Sequence, residues 1–133
     1  MLHFNPTISH KLETIRRLFI SKDLMEITQW IEAVEGINKE IDQLNMIERR
    51  LIKSDLVAST LQGFRRKNTL VMGSLCKYEQ ELKKELQFGK REYDLLRAKE
   101  HEKRRDSYAL LQKEFRSLKA GIYRKLAEKH FNE

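Results

Sequence analysis

Four histidines, one cysteine and many carboxylates are the side chains in this chain that could do chemistry. His3, His10, His101 and His130 are dispersed, and none stands in a C-x-x-C or H-E-x-x-H context. Their spacing predicts no metal site. The five glycines build no phosphate-cradling loop of the G-x-x-x-x-G-K-[ST] kind. Cys76 follows a core-facing leucine and has no histidine near it in sequence, which makes it a structural thiol rather than a nucleophile. Glu40 and Asp42 lie on polar helix faces, where general acid–base chemistry has no enclosed site to use. These residues predict a non-enzyme with no cofactor.

Binding is the remaining class of work. The 133 residues carry a net charge of +7 and a pI near 9.6, a balance that suits nucleic acid, acidic protein segments or plain solvated faces. The basic residues come in short clusters: Arg16-Arg17, Arg49-Arg50, Arg65-Arg66-Lys67, Lys83-Lys84 and Lys103-Arg104-Arg105. No aromatic side chain is interleaved among them as a base-stacking platform would need. Arg65-Arg66-Lys67 is the best candidate because it falls at an expected helix end, although cations there also complement the helix dipole. Trp30, the single tryptophan, borders an apolar stripe. It reads either as a core-edge residue or as an exposed anchor of the kind enriched at binding hot spots.

The elements that must position these residues are helical. Charged residues are 35% of the chain and hydrophobic ones 40%, and the apolar stripes have a helical period, which predicts an all-α fold. Ile8, Leu12, Ile15 and Phe19 form one stripe, with Thr7 as N-cap after an irregular lead over residues 1–6. Leu24, Ile27, Ile31 and Val34 form another, with Asp23 able to cap it. Ile37, Ile41, Leu44, Ile47 and Leu51 follow Gly36 and stop at Ser54-Asp55. Val57, Leu61 and Phe64 come next, then Val71, Leu75, Tyr78, Leu82 and Leu86. Breaks at Ser21–Asp23, Gly36, Ser54-Asp55 and Asn68-Thr69 predict a bundle of four or five short helices over residues 7–86. Ile15, Ile31, Ile41, Leu44, Val57, Leu61, Val71 and Leu75 are its expected core, and Glu48, Arg49 and Arg50 its polar side.

Residues 87–133 read as a long, charged helical extension. Arg97 to Asp106 holds no large apolar residue and is expected as an exposed arm or linker. Leu111, Phe115, Leu118, Ile122 and Leu126 then form a stripe that needs a cover. It either folds back on the bundle or serves as an assembly helix that pairs with another copy or a partner.

The run from about Leu12 to Leu86 resembles the TFIIS N-terminal-like helical domain family, in its integrase-binding-domain branch. The likeness rests on Asp23, Ile31-Glu32-Ala33-Val34, Thr60-Leu61, Phe64-Arg65-Arg66, Val71-Met72 and the Leu75–Leu86 segment. It implies a right-handed bundle that grips short disordered motifs through its interhelical loops, in nuclear proteins of transcription and chromatin. On that resemblance Asp23 would hold a peptide backbone beside a loop over Phe64 to Thr69. Lys67 and Thr69 stand where the family pattern has apolar residues.

The expected partner-binding residues are therefore Asp23, Trp30, Phe64, Arg65, Arg66 and Lys67. The functional expectation is a nuclear adaptor that docks short protein motifs. The alternative is a coiled-coil subunit of a cytoskeletal, ciliary or other assembly, a homo-oligomer through its last helix. Nucleic acid on the basic surface is a third partner class. A lone cysteine and the lack of a secretory signal or a membrane-length apolar run predict an intracellular chain with no membrane partner.

Overall fold

The computed structural model describes the backbone of residues 6–132 and the side chains of residues 9–131. Of the expected lead over residues 1–6, residues 1–5 lie outside the described residues, as do the side chains of Thr7 and Ile8; Pro6 already opens α1, so Thr7 stands inside the helix and not at its cap. The chain forms three long helices: α1, Pro6–Ile47; α2, Asp55–Phe88; and α3, Leu95–Asn132. A π-helical turn, Glu48–Ile52, continues α1 to its end. The all-α reading holds.

The segmentation into short helices does not. Of the four expected breaks only Ser54-Asp55 exists. There Lys53 takes a left-handed conformation (φ 53°) and its N–H bonds the Glu48 carbonyl. The Ser54 hydroxyl then caps α2 by accepting from the Val57 N–H at 3.3 Å. α1 runs unbroken through Ser21–Asp23 and Gly36, and α2 runs unbroken through Asn68-Thr69.

The reason lies in the spacing of the buried residues. On α1 they are Arg16, Ile20, Asp23, Ile27, Trp30, Val34, Ile37, Ile41, Leu44 and Glu48, a continuous alternation of steps of four and three. On α2 the buried Val57, Leu61, Asn68, Leu75, Tyr78 and Leu82 continue the same alternation through the half-buried Phe64 and Val71. α3 repeats it with Arg97, His101, Leu111, Phe115 and Ile122. Such a 3.5-residue period keeps one narrow seam of each helix against its neighbours over many turns. Each seam contains polar members, and those interrupt the apolar pattern without interrupting the helix.

Interhelical bonds give the topology. Between α1 and α2 the sequence separation of bonded partners falls from 69 (Arg16 to Glu85) to 34 (Val34 to Asn68) and 27 (Asn38 to Arg65), so the helices are antiparallel. Between α1 and α3 it stays at 75, 79, 79 and 77 along the length of both, so they are parallel. The bundle is up-down-up. The last helix folds back on its own chain: Leu111, Phe115 and Ile122 are buried, with Leu118 and Leu126 packed beside them. The expected assembly stripe is used inside the bundle. The core thus continues across the boundary drawn at residue 87.

The expected core is met at Ile41, Leu44, Val57, Leu61 and Leu75. Ile31 and Val71 are only partly buried. Ile15 is exposed, because Arg16 takes the seam position beside it. Glu48, expected on the polar side, is buried.

Leu61 is fully buried, so Leu61→Ala should destabilise the protein by about 2–5 kcal/mol. Lys39, on an exposed position of α1, should tolerate alanine within about ±0.5 kcal/mol. Urea denaturation of the two variants checks the pair.

Candidate functional site

All three helices contribute to a buried polar layer. α1 brings Lys22, Asp23, Glu26 and Trp30, which lie within two turns. α2 brings Tyr78. α3 brings Arg97, His101 and Arg105, and the connection before it brings Tyr93. Asp23 and His101 are the most deeply buried of these, with 1% and 2% of their surface exposed.

His101 joins the helices through both ring nitrogens. Nδ1 lies 2.7 Å from the Tyr78 hydroxyl. Nε2 lies 3.3 Å from Asp23 Oδ1 and 3.3 Å from Glu26 Oε1. Tyr93 donates its hydroxyl to Asp23 Oδ2 at 2.5 Å, and Arg105 donates to Glu26 Oε2 at 2.6 Å. The Lys22 ammonium stands 3.0 Å from Asp23 Oδ1 and 3.1 Å from Glu26 Oε1. Trp30 closes the layer, stacked between the rings of His101 (5.1 Å) and Tyr108 (5.4 Å). Arg104 lies over the Tyr78 ring at 4.2 Å, a cation–π contact.

The layer tunes its own ionisation. Burial pushes the His101 imidazolium below the ordinary histidine range, against the pull of the Asp23 and Glu26 carboxylates. Burial alone would raise the Glu26 carboxyl, but hydrogen bonds from Arg105 and Lys22 overcome it and hold it down at about 2. Burial raises the Tyr78 and Tyr93 phenols, and the Asp23 charge adds to it, so both stay protonated. A neutral imidazole and an ionised Glu26 thus face each other. Asp23 Oδ1, Glu26 Oε1 and His101 Nε2 lie within 4.8 Å of one another, a set able to hold a cation.

The residues expected to bind a partner are placed otherwise. Asp23 is neither a cap nor a loop residue, since it lies in mid-α1 and faces inward. Trp30 is the core residue of its two readings. Phe64 packs on Phe115, with ring centroids 5.5 Å apart. Arg65 bonds Asn38 and Asp42 on α1, Lys67 pairs with Glu114 on α3, and Arg66 is exposed. Asn68 bonds the Val34 carbonyl, so Phe64–Thr69 lies beside the middle of α1. That is roughly 16 Å along the helix from Asp23, at 1.5 Å per residue. Neither segment is a loop, and the structure does not bring them together.

From the sequence Glu26 and Tyr93 carry no reading, Tyr78 reads only as a stripe residue, and His101 reads only as a dispersed histidine without metal-site spacing. The available signal was Asp23-x-x-Glu26, two carboxylates on one helix face, with Asp23 on the four-three seam. Comparison of the chain with protein-family models, with curated proteins and with solved structures gives no match.

Two outcomes follow from the layer. Asp23→Ala removes the acceptor of Tyr93 and the carboxylate facing His101, and should cost about 3–5 kcal/mol, the range for breaking a buried pair. A surface cap or docking residue would cost far less. Glu26 has a folded-state pKa lowered from 4.5 to about 2, so it contributes stability above pH 4.5 that is lost as pH falls towards 2. Discounting for its partial exposure, this amounts to roughly 1–3 kcal/mol. Denaturation midpoints from pH 6 to pH 2 should fall less steeply in Glu26→Gln than in the parent chain.

Proposed function

We propose that this protein is a non-enzymatic helical interaction module that joins other proteins through its helix faces, as a subunit of a larger assembly. One observation carries the reading. Leu12, Ile15 and Leu18 are 53%, 48% and 65% exposed on the first turns of α1, with Phe19 beside them. They form a solvent-facing apolar row next to the α1 seam. Apolar side chains clustered on one face cost roughly 25 cal/mol per Å2 in water and mark interaction surfaces on folded proteins.

Two further facts favour a helix-face mode over gripping peptides in interhelical loops. The connections are short, Lys53-Ser54 and Gly89–Asp94. The exposed apolar residues sit on helices, and a second set, Leu51, Tyr123 and Phe131, lies near the opposite end. No helix among the described residues is long and apolar enough to cross a membrane. The nuclear adaptor of transcription rests on the sequence resemblance alone. Nucleic acid rests on net charge alone, and several of the arginines and lysines are already paired with carboxylates across the bundle.

The test is the triple substitution Leu12→Glu, Ile15→Glu, Leu18→Glu. Because the row is exposed, the melting temperature should stay within a few degrees of the parent. Complexes recovered from cells and the mass by light scattering should both shift towards the free monomer. Unchanged complexes and unchanged mass would refute the reading.

A further inference from the structure

We propose that Asp23, Glu26 and His101 form a binding site for one divalent transition-metal ion of the zinc class, which clamps α1 to α3. The inference goes beyond the interaction role and does not depend on it.

The inward atoms converge. His101 Nε2 lies 3.3 Å from both Asp23 Oδ1 and Glu26 Oε1. A zinc ion with ligands at 2.0–2.1 Å in a tetrahedron sets its donor atoms about 3.3 Å apart, which matches these two separations, and all three donors lie within 4.8 Å of one another. One imidazole and two carboxylates are a donor set that suits a borderline divalent cation, and they leave a fourth position for water.

The outward atoms are all held. Tyr78 takes His101 Nδ1, Tyr93 takes Asp23 Oδ2, and Arg105 takes Glu26 Oε2. Metal-binding histidines and carboxylates are oriented by such outer partners, and here each ligand has one from a different side chain. With metal on Nε2, Nδ1 carries the proton and donates it to the Tyr78 oxygen.

One inward atom is unsatisfied. Asp23 Oδ1 is buried and accepts no hydrogen bond of sound geometry, although the Lys22 and His101 nitrogens stand 3.0 and 3.3 Å away. A buried carboxylate oxygen left unpaired is costly, and a cation would satisfy it. The Lys22 ammonium occupies the approach to both carboxylates. It is about half exposed on a flexible stem, so an entering ion displaces it into solvent. The competing account is that Lys22 itself is the only cation this layer takes.

The full chain, stripped with chelator, is titrated with ZnCl2 at pH 7 by calorimetry, and its Co2+ form is examined by visible absorption. One equivalent of Zn2+ should bind, and the Co2+ form should show tetrahedral absorption with no thiolate band. Tyr78→Phe should weaken binding by about 10–100-fold, as loss of an outer partner does, and His101→Ala, which removes a ligand, should weaken it at least as much. Cys76→Ser, at an exposed thiol, should change nothing. Lys22→Met removes the competing cation from a partly exposed position, so it should fold and bind zinc about 3–10-fold more tightly. This keeps the test decisive should His101→Ala fail to fold. No stoichiometric binding by the parent, binding lost in Cys76→Ser, or no gain in Lys22→Met would each overturn the site.

Discussion

The carboxylate of Asp23 is the constraint that the bundle is built around. A charge with 1% of its surface exposed is tolerated only where hydrogen bonds and opposite charge replace water. Its partners come from elsewhere: Tyr93 from the second connection, His101 from α3, and Lys22 from its own turn. His101 in turn requires Tyr78 on α2. One buried group therefore fixes the relative height of all three helices. Sliding α3 by one turn along α1 would move His101 off the Asp23 and Glu26 carboxylates and towards the apolar Ile20 or Ile27. Buried polar groups that specify register at a cost in stability are well attested in helical bundles, and this layer has that form.

Away from the layer, apolar packing supplies the driving force. Ile27, Val34, Ile41 and Leu44 of α1 meet Val57, Leu61 and Leu75 of α2 and Leu111, Phe115 and Ile122 of α3 in one cluster. Exposed ion pairs such as Lys119–Glu40 add little each in water, but they run along the α1–α3 flank in the same register as the buried pairs. Asn68 is the α2 counterpart of Asp23: a seam residue whose amide crosses to the Val34 carbonyl on α1.

The bundle separates its two kinds of surface. Its buried polar chemistry is interior and is shared by all three helices. Exposed apolar side chains lie outside along all three helices, among them Leu12 and Leu18 on α1, Leu56, Leu70 and Phe88 on α2, and Leu95, Leu110 and Phe131 on α3. The buried layer holds the three helices together, and the exposed apolar side chains take no part in it.

The helical period and the apolar members of the seams were legible in the sequence, and they determined the all-α class, most of the core and the turn at Ser54. They could not determine continuity. Asp23, Gly36 and Asn68 have the chemistry of caps and breaks, and only packing shows that Asp23 and Asn68 are seam residues with partners on other helices. Arg97 to Asp106 lacks large apolar residues and so read as an exposed arm. In the structure its Arg97 and His101 are buried, because the face opposite them presents Glu85, Asp23 and Glu26. Whether a polar side chain is inside or outside depends on what faces it, and that partner lies 75 residues away for His101 and Glu26. Local sequence carries periodicity, because periodicity is a property of one helix. Pairing of buried polar groups is a property of two or three helices together, and only the tertiary structure decides it.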